Sequence, residues 1–292
     1  MKNIFTLLLF VFSYMASGQV FINELDSDTP STDDREFIEL KSTAPNFPLD
    51  GYVLVFFNGN ATSSTANQSY YTIDLDGLTT DANGIILIGN ALITPAPDKI
   101  VADNIIQNGA DGVGLYLGNP SDFPEFSLAT KTNLIDALMY DTNDADATAL
   151  MDLLGVTAQY NEGQNGLPTT QSVQRKSDGT YETKNPTPGA NNDGSGIIFN
   201  GITITANAAD KNEGDSFPIT FTTQTNVSSD LTFNFTLNNS SFTTADFTGN
   251  TTVFIPSGSN SFTTNILLTD DVLDEGDEVL KIKFGTIPAQ YK

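Results

Sequence analysis

Between Asp270 and Glu278, six carboxylates (Asp270, Asp271, Asp274, Glu275, Asp277 and Glu278) fall within nine residues, directly after the apolar run Ile266, Leu267, Leu268. Two unit charges about 4 Å apart repel by roughly 1 kcal/mol even at the dielectric of water, and by more where solvent is excluded. A hard divalent cation relieves that repulsion, because calcium takes roughly six to eight oxygen ligands from carboxylates, carbonyls and water in flexible geometry. The alternative is a solvated acidic turn. Asp26, Asp28, Asp33 and Asp34 form a second acidic stretch. Its spacing lacks the twelve-residue loop with a central glycine and a closing glutamate, so a solvated loop is expected there.

The chain has no histidine and no cysteine. That removes histidine-based triads, thiol nucleophiles, the usual zinc sites and disulfides. A catalyst would need a carboxylate pair or a metal held by carboxylates, and no such pair stands beside aromatic sugar platforms; tryptophan is absent. Glu24, Glu36, Glu39 and Arg175 can be read as an active constellation. The favoured reading is a structural ion pair or solvated strand positions, since Arg175 is one of few basic residues in its half and a partly buried carboxylate needs such a partner. A net charge of −24 argues against direct contact with nucleic acid or anionic membrane.

Short alternating runs must position these groups. Phe217, Ile219 and Phe221 alternate with other residues, as do Leu231, Phe233, Phe235 and Leu237, and again Leu280, Ile282 and Phe284. Each run predicts a strand with one buried face, and many such strands with turn residues between them predict an all-β sandwich. Earlier in the chain, Val20, Phe21, Ile22, Asn23, Glu24, Leu25 and then Glu36, Phe37, Ile38, Glu39, Leu40 read as two strands joined by the acidic loop. One helix is expected, from Ala147, Leu150, Met151 and Leu154 at i, i+3, i+4, i+7, with Asn143 or Asp144 as cap and Gly155 as stop. The 292 residues allow about two domains, and the turn-rich stretch from Lys184 to Gly201, with Pro186, Pro188, Gly189, Gly194 and Gly196, predicts a linker, placed at 193–200.

The C-terminal part resembles the Calx-beta domain, a calcium-sensing β-sandwich repeat. The resemblance covers about residues 200–292. It rests on Asn212, Glu213, Gly214, Asp215; on Ala245, Asp246, Phe247; on Thr252 to Gly258; and on the Asp-Asp then Glu-Gly-Asp-Glu spacing of the acidic run. It implies calcium ligands at Glu213, Asp246, Asp270, Asp271, Glu275 and Glu278, with the Leu273 carbonyl as a backbone ligand. The family continues into a further strand beyond the position of Lys292, so the second sandwich is expected to lack its last strand.

Residues 19–192 resemble the bacterial lamin-tail domain. The resemblance is carried by the opening Asn23, Glu24, by Glu36, Phe37, Ile38, Glu39, Leu40, by Ser172, Val173, Gln174, Arg175, and by the ending Thr187, Pro188, Gly189, Ala190, Asn191. It implies an immunoglobulin-like sandwich used for binding or tethering, with insertions near 61–69 and 119–126. The expected architecture is therefore all-β: a signal peptide over 1–18, a first sandwich over 19–192, a linker over 193–200 and a second sandwich over 201–292.

Lys2, an apolar block over 4–14 and small residues before Gln19 form that export signal. The block is too short to span a bilayer comfortably, so no transmembrane helix is expected in the mature chain. These features lead to an exported, secreted or cell-surface, calcium-binding and non-catalytic adhesion module with a protein or surface-polymer partner. The competing expectation is an accessory region of a secreted hydrolase, such as a nuclease, whose catalytic domain lies elsewhere.

Overall fold

The computed structural model describes residues 20–206, 210–238, 242–271, 276, 279–288, 290 and 291. The expected signal segment, residues 1–18, lies outside them. Among the described residues the fold is nearly all β, with 18 strands in four sheets. The strands are β1 Val20–Asp26, β2 Phe37–Ser42, β3 Tyr52–Asn58, β4 Ser69–Asp74, β5 Ile85–Gly89, β6 Lys99–Ile100, β7 Asp111–Leu117, β8 Leu134–Asp141, β9 Gln159–Asn161, β10 Ser172–Arg175 and β11 Tyr181–Lys184. They continue as β12 Ile202–Ala206, β13 Ser216–Thr223, β14 Leu231–Thr236, β15 Phe247–Gly249, β16 Thr252–Ile255, β17 Ser261–Leu268 and β18 Lys283–Phe284. The sheet orders are β11-β10-β1-β2-β5-β6, β4-β3-β7-β8-β9, β12-β13-β17-β15 and β16-β14-β18. By compactness the chain divides into two units, Met1–Ile86 with Asn104–Pro186, and Leu87–Asp103 with Thr187–Lys292.

In the first unit, β3 is apolar along nearly its whole length because both of its faces are covered. Val53, Val55 and Phe57 pack with Tyr116, Met139 and the helix residues Ala147, Leu150, Met151 and Leu154. Leu54 and Phe56, on the alternate face, are equally buried. A strand buried on both sides reads as a continuous apolar run rather than an alternation. The helix, α1 (Thr148–Leu154), follows the expected spacing and ends at Gly155, which takes the left-handed conformation at φ 75° as a C-terminal glycine does. Its start differs from expectation. Ala147 occupies the N-cap without a side-chain bond, and its N–H donates to Gln159 Oε1 at 2.9 Å. The N–H groups of Asn143 and Asp144 instead donate to Asp141 Oδ1 at 2.7 and 3.0 Å, a local turn that takes both residues away from the helix.

The second unit has the one-sided alternation its sequence predicts. Burial along β14 alternates strictly, with Leu231, Phe233 and Phe235 inside and Thr232, Asn234 and Thr236 outside. β13 pairs antiparallel with β12 and β17, and β14 pairs antiparallel with β16 and β18. Phe217, Ile219, Phe221 and Ile266 of one sheet share a core with Leu231, Phe233, Phe235, Val253 and Ile255 of the other. The rings of Phe221 and Phe235 lie 4.9 Å apart and those of Phe221 and Phe233 5.8 Å apart, within the range in which aromatic pairs attract beyond their burial. The run Leu280, Ile282, Phe284 forms a strand only at Lys283–Phe284, although Leu280, Ile282 and Phe284 all pack against this core. Among the described residues, no helix is long and apolar enough to cross a membrane.

Candidate metal centre

The acidic loops of the second unit meet at the C-terminal end of β17. That strand pairs with β13 on one side and β15 on the other, so the turns that lead into both neighbours are carried to the point where β17 ends. The turn before β13 is Asn212 to Asp215. It is closed by the N–H of Asp215 donating to the Asn212 carbonyl at 3.0 Å, and by the N–H of Asn212 donating to Asp215 Oδ2 at 2.9 Å. Gly214 adopts φ 79°, a region that glycine enters without steric penalty. The turn joins β17 through Gly214 N to the Leu268 carbonyl, 3.2 Å, and Leu268 N to the Asp215 carbonyl, 2.9 Å.

The second turn, Thr243 to Asp246, precedes β15 and is held by the Asp246 carboxylate, which accepts the Thr243 N–H. Thr269, the first residue after β17, donates its N–H to the Asp246 carbonyl at 2.9 Å and its hydroxyl to the Ala245 carbonyl at 2.8 Å. Immediately beyond it, Asp270 lies beside Gly214, where a Cβ would stand 3.7 Å from the Asp270 Cβ. The N–H of Asp271 points to Glu213 Oε2 at 3.4 Å, a contact longer than a full-strength N–H···O bond.

Backbone pairing therefore gathers Glu213, Asp246, Asp270 and Asp271, from three separate loops, around one strand end. Their carboxylates do not converge further than that: among the described residues, no three acidic side chains stand where they could hold a metal ion together. Leu273, Glu275 and Glu278 lie outside the described residues. The donor set is hard oxygen throughout, and Glu213, Asp270 and Asp271 are exposed. Carboxylates on exposed, flexible side chains suit calcium, which tolerates variable geometry, better than magnesium, which demands a near-ideal octahedron.

The other carboxylates singled out by the sequence serve the framework of the first unit. A bulge at Asn23 sets Glu24 of β1 opposite Glu39 of β2 and Gln174 of β10, and both glutamates are fully buried. Glu24 Oε1 accepts the Ser172 hydroxyl at 2.6 Å and Gln174 Nε2 at 3.2 Å, while Glu39 Oε1 accepts Asn23 Nδ2 at 2.6 Å. Glu36 Oε2 accepts the N–H groups of Ile105 and Ile106 at 2.9 and 3.3 Å. Arg175 forms its ion pair with Asp136, Nη1 to Oδ2, at 2.8 Å. The structural reading of the arginine holds, with a partner that the sequence did not single out. Asp136 lies on β8, and only the pairing of β8 into the other sheet of the unit brings it near.

The chain matches no protein-family model, no curated protein and no solved structure.

Proposed function

We propose that this chain is an exported, non-catalytic interaction module whose second unit binds calcium through the loops around Glu213, Asp246, Asp270 and Asp271. The observation that carries the reading is the gathering of these three acidic loops at the end of β17, beside the still denser run that follows it in sequence. In this reading the ion is held by Glu213, Asp246, Asp270, Asp271, Glu275, Glu278 and the Leu273 carbonyl. It neutralises the mutual repulsion of the loops and stiffens that end of the sandwich. The absence of histidine and cysteine favours a binding role over a catalytic one, and the resemblance of the first unit to the lamin-tail domain favours a protein or surface-polymer partner outside the cell.

The test is calorimetric titration of the full chain with calcium, alongside thermal unfolding. Ion that binds only the folded state stabilises it by about 2.7 kcal/mol when present at a hundredfold excess over its dissociation constant. Removing ligands in a Glu213→Ala, Asp271→Ala variant is expected to weaken calcium binding by about tenfold or more. No heat of binding and no thermal shift in the parent protein would reject the assignment.

A further inference from the structure

Five places in the chain carry asparagine followed by glycine: Asn58-Gly59, Asn83-Gly84, Asn108-Gly109, Asn165-Gly166 and Asn200-Gly201. In each, the glycine nitrogen can close a five-membered ring on the asparagine side-chain carbonyl, and the glycine has no side chain to hinder the approach. Ring closure needs a side-chain amide free to turn, a glycine N–H not held elsewhere, and a peptide unit able to carry negative charge. The structure separates the five on those grounds.

Four of the pairs are held. The Gly59 N–H donates to Asp111 Oδ1 at 2.9 Å, and Asn58 Nδ2 donates to Ser63 Oγ and Thr65 Oγ1, both at 3.1 Å. The Gly84 N–H donates to the Asp81 carbonyl at 2.9 Å. The Gly166 N–H donates to the Gly163 carbonyl at 2.8 Å, and Asn165 Nδ2 to Gln171 Oε1 at 2.9 Å. Asn200 is bound at both ends of its amide: Nδ2 donates to the Thr225 carbonyl at 2.9 Å, and Oδ1 accepts the Thr225 N–H at 2.8 Å.

Asn108 differs from all four. It is exposed and lies outside any strand, and among the described residues neither its side-chain amide nor the Gly109 N–H has a hydrogen-bond partner. What is held is its main-chain carbonyl, which accepts the Thr142 hydroxyl at 2.6 Å. β7 and β8 run antiparallel with Asp111 opposite Tyr140, so the chain entering β7 lies beside the chain leaving β8, and Thr142 meets Asn108. A hydroxyl on that oxygen favours the peptide unit that has lost its N–H proton, because the charge of the anion is shared with the oxygen. The contact activates the nucleophile and leaves the electrophile free to turn.

We infer that Asn108 is a self-modifying residue, at which the folded chain converts its own asparagine to aspartate and isoaspartate with water as the only reagent. The Gly109 nitrogen gives its proton to water and bonds to Asn108 Cγ; the Cγ–Nδ2 bond breaks, and the departing nitrogen takes up a proton and leaves as ammonia. Water then opens the resulting succinimide at one of its two carbonyl carbons. Opening at Cγ restores the ordinary main chain with an aspartate. Opening at the main-chain carbon routes the chain through Cβ and Cγ as isoaspartate. One water is consumed in all, one ammonia is released, and nothing is oxidised or reduced. Either product sets a new carboxylate just ahead of Asp111, which is buried at the start of β7.

The experiment is incubation of the full chain in neutral buffer made with heavy-oxygen water, followed by proteolysis and mass spectrometry with fragmentation that separates aspartate from isoaspartate. Releasing a held N–H or amide costs about the worth of one hydrogen bond, so Asn108 is expected to convert about tenfold or more faster than any of the other four, with heavy oxygen in both products. Thr142→Val keeps the shape of the side chain and loses the hydroxyl; it should slow the conversion by about tenfold, while Thr142→Ser keeps the rate. In denaturant the shielding is gone, and the five pairs should convert alike. Asn108 left intact, or converting no faster than the other pairs in the folded chain, would overturn the inference. So would a preference for Asn108 that persists in denaturant, which would belong to its sequence neighbours and not to the fold, or a Thr142→Val rate equal to the parent's. If Thr142→Val fails to fold, the contrast between the folded and the denatured parent decides alone.

Discussion

Arg175 shows how one side chain can join two sheets. Its guanidinium lies 4.8 Å from the centre of the Phe21 ring and 5.5 Å from that of Tyr181. It donates to Asp136 of β8 at 2.8 Å and to the Tyr181 hydroxyl at 2.9 Å, and that hydroxyl donates to the Ile22 carbonyl at 2.8 Å. Asp136 Oδ2 also accepts the Ile22 N–H at 2.9 Å. Both charged side chains are about four-fifths buried, so removing one leaves the other poorly solvated. Arg175→Met is expected to cost about 2–3 kcal/mol in denaturant unfolding. The double variant with Asp136→Asn should recover part of that loss, because the abandoned charge disappears with it. A double variant as unstable as the sum of its parts would show that the two groups act independently. That Arg175 needs a carboxylate partner was legible in the composition of the chain, but the partner was not: 39 residues separate it from Asp136, and no periodicity reports which strand lands opposite. Glu162, fully buried and accepting the Ser27 hydroxyl at 2.6 Å, was still less visible, since nothing in the sequence around it distinguishes a buried acid from a solvated one.

At the scale of elements, the period of the apolar residues told most where a face is wet. β14 has one wet face, and its strict alternation gave its inward residues, Leu231, Phe233 and Phe235, correctly. β3 has none, and a continuous apolar run states that a strand is buried without stating against what. The helix α1 packs on β7 and β8 and shares with β3 the apolar cluster on that side of the sheet, and its spacing gave its buried residues and its stop at Gly155, whereas its start depended on Gln159, which reaches back to Ala147 from β9. Two substitutions separate these contributions. Leu150→Ala removes a fully buried side chain from the contact of α1 with the apolar cluster that includes Met139 and Tyr116 and is expected to cost about 2–5 kcal/mol. Gly155→Ala keeps the contact but forces a left-handed residue to carry a side chain, at about 1 kcal/mol. Denaturant midpoints in that order, Leu150→Ala well below Gly155→Ala, are the expected result. The reverse order would mean that the helix is held by its termination and not by its apolar face.

For the molecule as a whole, 36 acidic residues against 12 basic ones make self-repulsion a general cost of folding, separate from any one site. The fold carries that charge without disulfides, so its stability depends on its apolar cores and on whatever neutralises the surface. Salt alone should help: raising ionic strength from about 0.01 to 0.15 M shortens the screening length from about 30 to 8 Å, and the melting temperature is expected to rise by a few degrees. A calcium site adds a term that screening cannot imitate. Replacing part of the sodium with calcium at constant ionic strength should raise the melting temperature further, while magnesium, held to a stricter octahedron and slow to shed its water, should raise it less. Differential scanning calorimetry at matched ionic strength makes the comparison directly. Coincident curves for the three cations would mean that the acidic loops around β17 are only solvated and that screening accounts for the whole gain. A calcium curve standing apart, and collapsing onto the others in the Glu213→Ala, Asp271→Ala variant, would assign the excess to those loops.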